Sequence, residues 1–98
     1  MNKKNDVQQS LNRITIHPDV LYKRLGEEMV LFHLTTDRFY ELNGTAARFW
    51  ELLSEGHPMS EVSEQMMTEF SVTADEFAGQ AEDLLRSLRK ENLVDVHE

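Results

Sequence analysis

The chain contains no cysteine, which excludes a disulfide framework, thiolate zinc sites and cysteine nucleophiles. Its four glycines, Gly26, Gly44, Gly56 and Gly79, stand isolated, so no Gly-rich phosphate loop exists. No apolar run approaches the roughly 18 residues that cross a membrane. Lys3 and Lys4 are not followed by the apolar stretch of a secretory signal, so the expected compartment is the cytoplasm. Basic residues are also scarce: 10 lysines and arginines against 18 aspartates and glutamates leave a net charge of −8. An acidic domain repels a phosphate backbone. It favours a partner or peptide carrying Lys and Arg, mainly through faster encounter, although the same charge can serve only to keep a protein in solution.

What remains is enough for one small domain, which buries about 60–65% of the surface its unfolded chain exposes. Residues 1–13 are polar and aperiodic, and read as a flexible tail ahead of a single domain over residues 14–98. Ile14-Thr15-Ile16 alternates, and is either a short strand or the end of that tail. Residues 19–25, 29–34 and 38–42 are rich in β-formers, separated by Gly26-Glu27 and by Thr35-Thr36-Asp37. They predict a three-stranded antiparallel meander in which Tyr40 and Leu42 share one face and Phe39 and Glu41 the other.

The period then changes from two to 3.6. Asn43 is a plausible helix N-cap, and Ala46, Phe49, Trp50 and Leu53 follow at i, i+3, i+4, i+7. Gly56 and Pro58 end that helix. A second helix is expected over residues 60–70 on Val62, Met66 and Phe70. The third has the clearest start: Thr73 and Glu76 fit a capping box, and Val72 and Phe77 a hydrophobic staple. Its stripe is Phe77, Ala81, Leu84, Leu85 and Leu88, Asn92 closes it, and residues 93–96 form a short extended end. Three strands followed by three helices make an α+β fold with the helices on one face of the sheet.

Little here suggests chemistry. His17, His33, His57 and His97 are scattered singly and make no metal-ligand spacing. The carboxylate pairs Asp75-Glu76 and Glu82-Asp83 are adjacent on a helix, so their members point about 100° apart. Met59, Met66 and Met67 cluster on the second helix, either as core or as an adaptable surface. Gly79 costs a helix about 1 kcal/mol relative to Ala, tolerable if something packs closely there. No enzyme activity, cofactor or metal is expected.

Tyr40-x-Leu42-Asn43, followed by a helix carrying Phe49-Trp50-x-Leu52-Leu53-x-x-Gly56, resembles the central signature of PqqD-like proteins. Gln80-Ala81-x-x-Leu84-Leu85-x-x-Leu88-x-x-x-x-Leu93-Val94 is similar to the same family's last helix and closing segment. The resemblance covers residues 18–96. It implies a winged-helix-like fold and a non-catalytic recognition element for ribosomally made, post-translationally modified peptides. In such proteins the precursor's leader pairs with the third strand, lies in the groove between that strand and the third helix, and is delivered to a modifying enzyme or leader peptidase. Two positions depart from the pattern. Gln80 stands where the family often has Asp, and Thr36-Asp37-Arg38-Phe39-Tyr40 replaces the Pro-Glu that precedes the strand in pyrroloquinoline quinone pathways. The latter looks more like the free-standing leader-binding proteins of lasso-peptide pathways.

The physics suits that resemblance. An uncovered sheet edge presents unpaired N–H and C=O groups, to which an extended peptide can add as a strand. The expected contacts are Arg38, Phe39, Tyr40 and Glu41 on the edge strand, and Phe77, Gln80, Ala81, Leu84, Ser87 and Leu88 on the third helix. A free edge also allows a homodimer beside a monomer. Two other functions compete: an obligate adaptor subunit of one enzyme without a peptide ligand, and a winged-helix DNA-binding protein. Residues 57–92 carry eight acidic side chains against Arg86, Arg89 and Lys90, which disfavours the second, because a recognition helix presents Arg, Lys or Asn to the bases.

Overall fold

The computed structural model describes residues 13–97. The tail expected over residues 1–13 therefore lies outside it, apart from Arg13. The elements run β1 (Arg13–Ile16), β2 (Val20–Leu25), β3 (Glu28–His33), β4 (Arg38–Asn43), α1 (Gly44–Ser54), α2 (Met59–Phe70), α3 (Ala74–Lys90) and β5 (Val94–His97). The three central strands form the expected antiparallel sheet in the order β2-β3-β4. A two-residue turn joins β2 to β3, and Gly26 takes φ +65° there, the left-handed first position that a tight hairpin needs.

Alternation along the strands decides which side is covered. Val20, Met29, Leu31 and His33 are buried, whereas Leu21, Leu25 and Phe39 are exposed on the far face. The helices cover only the first face. Trp50 and Phe49 on α1 are fully buried, with Tyr22 edge-on to Trp50 at 5.6 Å and Phe77 of α3 at 6.3 Å from Phe49. The core continues through Val62 and Met66 of α2 and through Phe77, Ala81 and Leu88 of α3. The Trp50 indole N–H has no acceptor among the described residues, a cost of about 1–3 kcal/mol that burying the ring offsets.

Both ends of α3 are built as sequence reading expects. Thr73 accepts from the Glu76 N–H, and the Glu76 carboxylate accepts from the Thr73 N–H. At the other end Asn92 takes φ +60°. The Asn92 N–H donates to the Arg89 carbonyl and the Leu93 N–H to the Leu88 carbonyl, a Schellman closure. Asn43 stands at the N-cap of α1 as expected but makes no side-chain cap bond; it is also the last residue of β4, paired with Glu28. The turn into α1 is made by Gly44 at φ +55°.

The outermost segments pair with each other. Residues 13–16 form β1, antiparallel to β5, with Ile14 opposite Val96 and Ile16 opposite Val94. The His17 N–H extends this ribbon by donating to the Leu93 carbonyl at 3.0 Å. His33 is buried, where its Nε2 lies 3.1 Å from the Asn92 carbonyl and its Nδ1 accepts from the Thr35 N–H. That ring ties the β3–β4 turn to the end of α3.

Two outcomes test this architecture. A Cβ added at Gly79 would meet nothing within 4 Å, so no close packing requires glycine. Gly79→Ala should stabilise the protein by about 0.5–1 kcal/mol in urea unfolding; a loss of stability would mean that the helix is not formed there. The second concerns Arg48, which bonds Glu51 at 2.6 Å and Glu69 of α2 at 2.8 Å, while Arg24 of β2 meets Glu51 at 3.2 Å. These arginines hold both carboxyls below the usual range. Carboxyls lowered on folding stabilise above their unfolded value of about 4.3, and the contribution fades as pH falls through the lower folded values. Arg48→Met should therefore cost about 1 kcal/mol at pH 7 and much less under strongly acidic conditions. An equal cost at both would assign the effect to packing.

Candidate functional site

β4 is the edge of its sheet, with no strand beyond it among the described residues. It is also the least covered strand, since Tyr40 and Leu42 on its helix-facing side are only half-buried. The opposite wall is α3. Its direction relative to β4 is set by Glu91, at the C-terminal cap of α3. The Glu91 carboxylate accepts from the Tyr40 hydroxyl at 2.8 Å and from the Arg38 guanidinium at 3.3 Å. The start of β4 therefore meets the end of α3. The end of β4 feeds α1, whose first turn faces the earlier half of α3 across a groove of about 320 Å³.

That groove has an apolar floor of Ala46, Phe49, Met66, Phe77 and Ala81, with Leu84 beside it and Thr45, Gln80 and Asp83 on the rim. Four of the expected contacts, Phe77, Gln80, Ala81 and Leu84, are thus brought together. Arg38 and Tyr40 do not line it; they meet the end of α3 at Glu91. Ser87 is exposed on α3, one turn beyond Leu84. Leu88 is 3% exposed and belongs to the core. Phe39 and Glu41 lie on the opposite face of the sheet; Phe39 is 72% exposed, 4.6 Å from the Phe32 ring.

The electrostatics around Glu91 and Tyr40 follow from their packing. Burial raises the Tyr40 phenol above the usual tyrosine range, and the neighbouring Glu91 carboxylate adds to the shift. Tyr40 is therefore a neutral hydrogen-bond donor at pH 7, a positioning group rather than a base. Glu91 is absent from the contacts expected from sequence, yet a signal for it exists. Gln80, Leu84, Ser87 and Glu91 fall at i, i+4, i+7 and i+11, one face of the helix.

The groove lining carries one titratable side chain, Asp83. A histidine–carboxylate cluster is exposed and elsewhere: His57 lies 3.0 Å from Glu61 and 3.2 Å from Glu55. Glu61, with Glu55 assisting, raises its pKa. Among the described residues no group of three such side chains is placed to hold a metal ion.

Comparison with known proteins bears on the same strands and helices. The family model of coenzyme PQQ synthesis protein D matches residues 28–94, from β3 through the first residue of β5. The chain belongs to the PqqD family. Two solved structures resemble this PqqD-family fold over nearly their whole length. TbiB1 in complex with the TbiA(beta) leader peptide is 28% identical, with a TM-score of 0.82, covering 86% of this chain and 98% of its own. A lasso peptide synthetase B1 complexed with its leader peptide is 22% identical, with a TM-score of 0.76, covering 85% and 98% respectively; at that identity the likeness is one of fold. No curated protein sequence matches.

The Glu91 clasp can be tested directly. Glu91→Ala releases both Arg38 and Tyr40, and should cost about 1–2 kcal/mol of stability, as loss of charge-assisted bonds does. Tyr40→Phe, which removes only one of them, should cost less. Equal stability of all three proteins in chemical unfolding would show that the clasp holds nothing together.

Proposed function

We propose that this PqqD-family chain is a non-catalytic leader-peptide-binding protein of the cytoplasm. It captures a ribosomal precursor by strand addition at β4 and presents it to a modifying enzyme or leader peptidase. The observation that carries this reading is an unpaired edge strand, β4, leading into α1, whose first turn walls an apolar groove against α3. An extended peptide added to β4 makes backbone hydrogen bonds along the edge, and every second side chain points toward the helices. Those side chains meet Leu84 and the Phe49–Phe77–Ala81 floor, and Gln80, Thr45 and Ser87 offer polar partners at the rim. The likeness to TbiB1, whose structure contains a leader peptide, supports the same assignment. The stretch Thr36-Asp37-Arg38-Phe39-Tyr40, which looks like that of free-standing leader-binding proteins of lasso-peptide pathways, favours such a pathway over other peptide-modification pathways.

The adaptor-subunit reading has one observation in its favour. Leu21, Leu25 and Phe39 leave an apolar outer sheet face, of the kind that partner proteins cover. A peptide titration separates the two readings. Leader segments of precursors encoded beside the gene should bind saturably in the nanomolar-to-micromolar range, roughly −8 to −12 kcal/mol, after the cost of ordering a disordered segment. Leu84→Glu should weaken that binding at least about tenfold, because it places a charge against an apolar anchor site. Absence of binding to any such leader, with saturable binding of a neighbouring enzyme, would falsify the recognition role in favour of the adaptor.

A further inference from the structure

A second and larger groove, of about 550 Å³, runs between the C-terminal half of α3 and the β1–β5 ribbon. Its floor is apolar, from Ile14, Leu85 and Val96, and its rim carries Arg86, Arg89 and Lys90. Those are three of only ten lysines and arginines in a chain with 18 carboxylate side chains. Three arginines elsewhere are neutralised across elements: Arg24 and Arg48 by Glu51 and Glu69, Arg38 by Glu91. Those on this rim are not. Arg89 and Lys90 make no ion pair among the described residues, and Arg86 meets only Glu82 and Asp83, exposed on its own helix. A positive last turn complements the helix dipole, but that role needs no apolar trough beneath the charges.

We propose that this groove docks an acidic segment, anchored by an apolar side chain, of the maturation enzyme that receives the precursor. The proposal rests on the leader-binding reading above and adds to it the surface that hands the peptide on. The two grooves do not compete. Leu84 lines the leader groove and its neighbour Leu85 lines this one, so α3 is a wall shared by two separate occupants. Charge selects the partner: the rest of the molecule is acidic and repels an acidic segment, leaving this trough as the place where it can settle. A protein segment fits better than nucleic acid. Glu82 also lines the trough, and its apolar floor suits a side chain, whereas phosphate contacts need cations along an exposed track.

The experiment compares the wild type with Arg89→Glu/Lys90→Glu and with the milder Arg89→Gln/Lys90→Gln, which guards against misfolding. Each is titrated with the leader peptide alone, with the leader peptidase encoded alongside while leader is saturating, and with a short DNA duplex. Melting temperatures are recorded for all three proteins. The expected result is leader affinity within about twofold of wild type, with peptidase affinity reduced roughly tenfold by charge reversal, less by neutralisation, and falling with added salt. Peptidase binding that is absent in the wild type or unchanged in both folded variants overturns the inference while leaving leader recognition intact. A parallel loss of leader affinity also overturns it, because the grooves would not be independent. Salt-sensitive duplex binding that the substitutions abolish would assign the trough to nucleic acid instead. A wild type that binds no leader defeats the underlying reading, whatever the peptidase does.

Discussion

Everything in this molecule is arranged around one helix, α1, which lies against β1, β3, β4 and α2. Its Phe49 and Trp50 are almost completely buried, and truncating side chains of this size in a core costs about 3–5 kcal/mol each. A chain of 98 residues has no second core to fall back on,. Once α1 occupies the centre of the sheet's inner face, α2 and α3 must pack around it rather than over the sheet. The inner side of β4 is then only half-covered. The open edge and the groove between α1 and α3 are therefore consequences of how the core is filled.

That arrangement also explains how an exposed edge is managed. A free strand beside apolar side chains invites pairing with other copies. Here charged residues, Arg38 and Glu41, interrupt the edge, and Glu91 ties its start to the end of α3. A net charge of −8 adds general repulsion between copies,.

The parts legible in the sequence were those whose signals are local. The capping box at Thr73, the left-handed Asn92 and the two-residue turn at Gly26 each depend on a few neighbouring residues, and each stands where expected. So does the face alternation of Tyr40 and Phe39. Contacts between distant segments were less visible. Ile14-Thr15-Ile16 could not be assigned from its own residues, because its partner is 82 positions away in the Thr15–His97 contact. Asn43 has the chemistry of a cap, but tertiary pairing keeps it in β4. Ala46 was expected on the core face, but Ala47 is the alanine buried there, and Ala46 lines the groove instead. Residues 28–94, the part that matches the family model, omit β1 and β2, so the ribbon had no motif to announce it.

Glu91 and the basic trough show why a site built on one helix can exceed its expected contacts. The stripe Phe77, Ala81, Leu84, Leu85, Leu88 is broader than one buried face requires, and α3 uses the surplus. Phe77, Ala81 and Leu88 go to the core, Leu84 to one groove and Leu85 to the other. The charges divide in the same way. Asp75, Glu76, Glu82 and Asp83 occupy the first half of the helix and Arg86, Arg89 and Lys90 the second, in the order that complements its dipole. A helix stabilised by that polarity carries a cationic end as a by-product, and the β1–β5 ribbon places an apolar floor beside it. Neither feature alone defines a surface for a partner. Together they put charge and apolar anchorage within one groove, separate from the one that Leu84 lines.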